Sequence, residues 1–282
     1  MNILALTDFS EAADNAAIYA AKFAAALKAN LILFHAASPN VPVSHDSDEM
    51  PQDADDNVAE DVARKLGLLS KKLGGVLTYE SVYHPHISHF TAPGSIRGNI
   101  RRLVKDNAID LIVMGARLYE DFPGFLFGTN VRGVVEEAAC PVLLIHEGAL
   151  YRPVKSMLYA TDLRYCDLRV VSLLTNLASR LKSDVSMLHV CTDGLPALGK
   201  EEALAIFLDT IASRIHYNHL THHQTDNQDT RLLLAEIIEN QEADILAIAH
   251  KKYHFFNHLF RKNDEKDTAV YTRIPILIIP DD

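Results

Sequence analysis

Short, unbroken apolar runs recur along the chain, each followed by a longer stretch with helical spacing. The first run, Asn2–Thr7 (NILALT), predicts a buried strand that ends at Asp8. Ser10 is placed to cap an alanine-rich helix over 11–28, whose larger apolar residues Ile18, Phe23 and Leu27 recur at roughly helical intervals. Leu31–His35 predicts a second strand. Ser38–Asn57 breaks the pattern: it is rich in proline and aspartate and reads as a solvated, mobile insertion. A helix is expected over 58–73, which Gly74-Gly75 either ends or interrupts. Pro85–Thr91 predicts a third strand, 95–107 a helix, and Asp110–Met114 a fourth strand that breaks at Gly115. A loop with Pro123, Gly124, Gly128 and Thr129 leads to a helix starting near Asn130–Val131 and running through Glu136 and Glu137. Val142–Ile145, after Pro141, predicts the fifth strand.

The plan then repeats. Leu4–Asp8 (LALTD) matches Leu158–Asp162 (LYATD) at an offset of 154, and His35 matches His189 at the same offset. Past the proline- and aspartate-rich segment the offset falls to 134: Asp110 matches Asp244, Gly115 matches Ala249, and Pro141-Val142 matches Pro275-Ile276. The difference, 20 residues, is the length of Ser38–Asn57. Each half therefore alternates strand and helix, which implies a parallel sheet covered on both faces with right-handed crossovers. Two domains are expected, over 1–148 and 152–282. In such sheets ligands bind outside the carboxyl ends of the strands, here at the switch point between strands 1 and 4.

Composition fits that reading. The 282 residues suit two domains of roughly 140 on the usual size range. Apolar residues make up 48%, enough for substantial cores. A formal charge of −10 argues against a general nucleic-acid binder, which needs clustered Lys and Arg. No apolar run reaches the ~18 residues of a membrane span, and the opening MNILALTDFS has no signal-peptide pattern, so neither a membrane nor an export signal is expected. Cys140, Cys166 and Cys191 form no CxxC and no even framework, which fits reduced, buried thiols in a cytoplasm.

Two stretches carry candidate chemistry. Thr7-Asp8-Phe9-Ser10 follows strand 1; its plain reading is a helix cap. Gly115-x2-Leu118-x9-Gly128-Thr129 runs strand, glycine, loop, Gly-Thr, helix, the order a phosphate-binding turn needs. It is not a P-loop, because Gly-Lys-[Ser/Thr] is missing. Both stretches resemble the universal stress proteins, whose loop reads G-x2-G-x9-G-[S/T]. Leu118 stands at the second glycine, whereas TDFSEAA (Thr7–Ala13) and CPVLLI (Cys140–Ile145) are much like the family's first and last strands. The resemblance covers almost the whole chain, twice. It implies two tandem Rossmann-like domains of the adenine nucleotide alpha hydrolase-like kind, each a five-stranded parallel sheet with helices on both faces. It also implies ATP or a related adenine nucleotide, with Mg²⁺ as a companion of the phosphates, in the N-terminal domain. On that analogy Leu6, Thr7 and Asp8 line the site, and Ala36 neighbours the adenine. Met114, Gly115, Leu118, Gly128, Thr129, Asn130 and Val131 form the phosphate side, and Arg117 adds a cation or is simply a solvated arginine.

The matching loop of the second half, Ala249-x2-Lys252-x9-Lys262-Asn263, has lost every glycine. A bulky side chain there should not cradle a triphosphate, and Asp162 reads most simply as a cap. Ten of the 14 histidines cluster, as His84, His86 and His89; His216, His219, His222 and His223; and His250, His254 and His258. None has a carboxylate or Cys partner at a standard metal spacing, so no metal site is assigned. No G-x-S-x-G elbow, H-E-x-x-H or kinase signature occurs, and no catalytic residue is assigned. The expected function is nucleotide-dependent regulation in a stress response, with a protein partner or a second copy as its readout. The rivals are an interaction scaffold that binds no nucleotide and a slow ATPase or nucleotidyl-transferase.

Overall fold

The computed structural model describes residues 1–37, 52–80, 82–116, 129–161, 168–189, 200–223, 234, 236–238, 240, 242–249 and 274–280. The chain divides into two compact units that part between Tyr151 and Arg152.

The first unit runs β1 (Asn2–Leu6), α1 (Glu11–Leu27), β2 (Asn30–Ala37), α2 (Gln52–Glu80), β3 (Ile87–Pro93), α3 (Ile96–Asp106), β4 (Leu111–Ala116), α4 (Thr129–Glu137) and β5 (Val142–His146). Its strands pair in parallel in the order β3-β2-β1-β4-β5. Helices α1 and α2 pack side by side, as do α3 and α4, one pair on each face. Covered on both sides, the strands are apolar throughout: Ile3, Leu4, Leu31, Leu33, Ile112, Val113, Leu143 and Ile145 are fully buried.

The second unit contains β6 (Ser156–Thr161), α5 (Leu168–Leu181), β7 (Asp184–His189), α6 (Lys200–Arg214), β8 (Leu220–His223), β9 (Ile245–Ala249) and β10 (Ile276–Ile279). Its parallel order, β10-β9-β6-β7-β8, reproduces that of the first unit. Matching residues make matching bonds. The Asp110 carboxylate accepts the Asn2 N–H at 2.7 Å, and the Asp244 carboxylate accepts the Ser156 N–H at 3.0 Å. Lys28 and Lys182 both take a left-handed conformation after α1 and α5, with φ of 52° and 56°. The repeat has one further length difference: Leu31 pairs with Ile87 but Val185 with Leu220, an offset one residue shorter than at the fourth strands.

Three expectations about elements change. The fourth strand does not break at Gly115: Gly115 and Ala116 pair with Ile145 and His146, so the ladder with β5 carries β4 two residues further. Helix α2 begins at Gln52, within the segment read as an insertion. Residues 38–51, the rest of that segment, lie outside the described residues. Helix α2 also runs through Gly74-Gly75 to Glu80. Val62, Leu66, Leu69, Leu73 and Leu77 form a buried stripe that continues past both glycines. Burying one leucine stabilises by roughly 1.5–3 kcal/mol, whereas a glycine in a helix costs about 1, so packing prevails over propensity.

A substitution tests this. A Cβ at Gly74 or Gly75 would meet nothing within 4 Å. Gly74→Ala and Gly75→Ala should each raise unfolding stability by about 0.5–1 kcal/mol in a urea titration. A loss of stability for either would mean that α2 does not run unbroken through this point.

Candidate functional site

Strand β1 is paired on both sides, and its last residue, Leu6, faces Phe34 of β2 and Met114 of β4. From there the chain turns sharply into α1. The Thr7 N–H donates to the Phe34 carbonyl at 2.9 Å, and buried Thr7 Oγ1 accepts the Phe9 N–H at 3.0 Å. Asp8 is exposed, and its Oδ1 accepts the Ser10 N–H at 3.0 Å. Ser10 Oγ accepts the Ala13 N–H at 3.3 Å, the expected cap of α1. This turn requires Phe9 to adopt φ 62°, a region that L residues other than Asn and Asp seldom occupy. The Phe9 ring lies against His35, with centroids 4.8 Å apart, and the Lys65 ammonium is 5.8 Å from the ring centre. His35 Nδ1 in turn lies 2.8 Å from the Thr7 carbonyl, and Thr91 Oγ1 donates to the His35 carbonyl at 2.9 Å. The ends of β1, β2 and β3 are thus tied into one network. Ala36, half-buried and paired with Ala92, follows His35 within it.

On the other side of the switch point, Met114 is buried and Gly115 pairs with Ile145. The reason for a glycine here differs from the one its spacing implies. A Cβ on Gly115 would sit 2.7 Å from the Ala12 carbonyl oxygen and 3.0 Å from the Ala13 nitrogen. The first turn of α1 presses on β4 at this point, and only a residue without a side chain fits. Helix α4 begins at Thr129, with Asn130 exposed and Val131, Val134 and Val135 buried beneath it.

The structure therefore brings Leu6 next to Met114 on the neighbouring strand, with Thr7 and Asp8 following Leu6, Gly115 following Met114, and Ala36 on β2 at the other side of β1. Arg117, Leu118 and Gly128 lie outside the described residues, as do Asp162, Lys252, Lys262, Asn263, Cys166, Cys191, His250, His254 and His258. In the second unit Ala249 is buried in β9, opposite Ile279. Among the described residues no three His, Cys, Asp or Glu side chains converge. His84, His86, His89 and His216 are exposed, and His219 Nδ1 pairs with Asp184 at 2.8 Å. Cys140 is buried, and burial, with the negative charge of Asp110, pushes its thiol up to about 12, so it stays protonated and inert at neutral pH. Phe9 and His35 are not among the residues expected to line the site; the recurrence of His35 as His189, which sets the repeat offset, is a signal that could have marked the end of β2.

A parallel sheet of this order, with a capped turn after its first strand, defines a Rossmann-like α/β protein. The Universal stress protein family matches residues 1–146, and the chain belongs to that family. A universal stress protein from Archaeoglobus fulgidus DSM 4304 is 14% identical, with a TM-score of 0.67 over 99% of this chain and 98% of its own. A protein described as a putative universal stress protein from Pseudomonas aeruginosa UCBPP-PA14 is 13% identical, with a TM-score of 0.50 over 99% of this chain and 92% of its own. These likenesses establish the fold. No curated protein matches the chain. Among the described residues no helix is long and apolar enough to cross a membrane.

The role found for Gly115 is open to test. Gly115→Ala should destabilise the first unit by about 1–3 kcal/mol, because the backbone of α1 must move to admit the methyl group. Chemical denaturation measures this, and wild-type stability would contradict the contact.

Proposed function

We propose that this universal stress protein binds one adenine nucleotide, ATP or a close relative, in its first unit and acts in the cytoplasm as a nucleotide-dependent regulator. The observation that carries the reading is the switch point. The helices that follow β1 and β4, α1 and α4, lie on opposite faces of the sheet, and in such sheets a ligand crevice opens at the carboxyl ends of the two strands. In it Leu6, Thr7 and Asp8 line one side, with Ala36 against the base. Met114 and Gly115 form the floor. The N–H groups at the start of α4, at Thr129, Asn130 and Val131, serve the phosphates together with Gly128 and the flanking Arg117 and Leu118. Because the space at Gly115 is taken by α1, close approach of a phosphate falls to Gly128 rather than to Gly115. A Mg²⁺ bound with the nucleotide would rest chiefly on phosphate oxygens and water, since among the described residues no three metal-ligating side chains converge. The second unit, with Ala249, Lys252 and Lys262 in place of the loop glycine pattern, binds no nucleotide on this reading and serves as a partner domain.

Calorimetric titration with ATP should give one site per chain. Gly128→Val should remove it, because a branched side chain would fill the phosphate position. Lys262→Ala, in the second unit, should leave the stoichiometry unchanged. Two equivalent sites, or a single site that survives Gly128→Val, would overturn the proposal.

A further inference from the structure

Helix α4 has only nine residues, and its last turn carries Glu136 and Glu137 with no basic residue of its own. Two carboxylates at the negative end of a helix are unfavourable unless cations offset them. Helix α3 supplies those cations. Arg97 Nη2 lies 3.1 Å from Glu136 and 3.5 Å from Glu137, and Arg101 Nη2 lies 3.2 Å from Glu137. Arg132, within α4, adds a 2.6 Å contact to Glu136. A second observation is independent of charge. A Cβ on Gly133 would meet the Cβ and Cδ of Arg97 at 3.3 Å and its Cγ at 3.4 Å. The glycine makes room for the Arg97 stem to cross α4, one turn after Thr129.

Helix α3 is itself firmly placed. Buried Asn99 donates through Nδ2 to the carbonyls of Pro93 and Ser95, each at 3.0 Å, which ties the start of α3 to the end of β3. Arg102 donates to Asn99 Oδ1 at 2.9 Å. A helix anchored at its start therefore grips the end of a short one whose first turn belongs to the candidate phosphate site. From this we infer that Arg97 and Arg101, with Gly133, are positioning residues for the start of α4 and so set nucleotide affinity without touching the ligand. The inference rests on the nucleotide reading above. Half-exposed ion pairs contribute little to global stability, and Val131, Val134 and Val135 already hold α4 on the sheet. What the arginines restrict is rotation and sliding of α4, to which a ligand at its first turn is sensitive.

Two variants test this. Gly133→Ala improves helix propensity, so the unfolding midpoint should hold or rise, yet it displaces the Arg97 stem. Its affinity for ATP should fall about fivefold, the scale of coupling through such a network. The double variant Arg97→Gln, Glu137→Gln leaves the net charge unchanged while breaking the pair, so a similar loss would reflect position rather than attraction at a distance. In the double variant without ligand, amide hydrogen exchange over 133–137, where α4 makes its intrahelical bonds, should quicken. Wild-type affinity in both variants, or unchanged exchange in the double variant, would overturn the inference and leave the nucleotide reading standing. Failure of the wild type to bind ATP would overturn the two together.

Discussion

Helix α1 starts so close to β4 that only glycine fits at position 115. The arrangement of the turn between β1 and α1 follows from that contact. With α1 held there, the turn from β1 must complete itself within Thr7–Ser10, which drives Phe9 into a left-handed conformation and turns Asp8 out to solvent. Such a conformation in a bulky residue costs of order 1–2 kcal/mol and persists only when its surroundings hold it. Here they do: the Thr7 and Asp8 side chains accept the N–H groups of Phe9 and Ser10, and the Phe9 ring rests on His35. His35 bonds back to the Thr7 carbonyl. One close helix–strand contact thus fixes the residues on both sides of the switch point.

The two units share the frame and differ at the site. The aspartates that cap the starts of β1 and β6, the left-handed lysines and the strand order all recur. These features lie at the amino ends of the strands or in the core, where they serve folding. At the carboxyl ends Thr7, Asp8 and His35 recur as Thr161, Asp162 and His189, whereas other positions diverge: Gly115 against Ala249, Gly128 against Lys262, Phe9 against Leu163.

Much of the fold was legible because apolar runs, caps and repeat register are local or periodic signals. Ser10 does cap the helix it precedes, the helix expected from Ser95 starts one residue later with Ser95 as its cap, and the first unit's strands fall within a few residues of their apolar runs. The boundaries that moved did so for tertiary reasons. Leu73 and Leu77 carry α2 through two glycines because the stripe they continue is buried, and pairing with β5 extends β4 through Gly115. The site was only partly legible. Spacing marked Gly115 as special but could not distinguish a phosphate from the backbone of α1 as the neighbour that excludes a side chain. Phe9, His35, Arg97 and Arg101 depend on contacts between segments far apart in sequence, and no periodicity encodes those.

The central claim is that the crevice beside β1 and β4 of the first unit takes the nucleotide and its counterpart in the second does not. Amide hydrogen exchange with and without ATP, read peptide by peptide, tests it most directly. The account predicts slower exchange over 7–10 and 129–133 on addition of ATP, with no change over 159–164 or 246–250. Protection confined to the second unit, or equal protection in both, would contradict it.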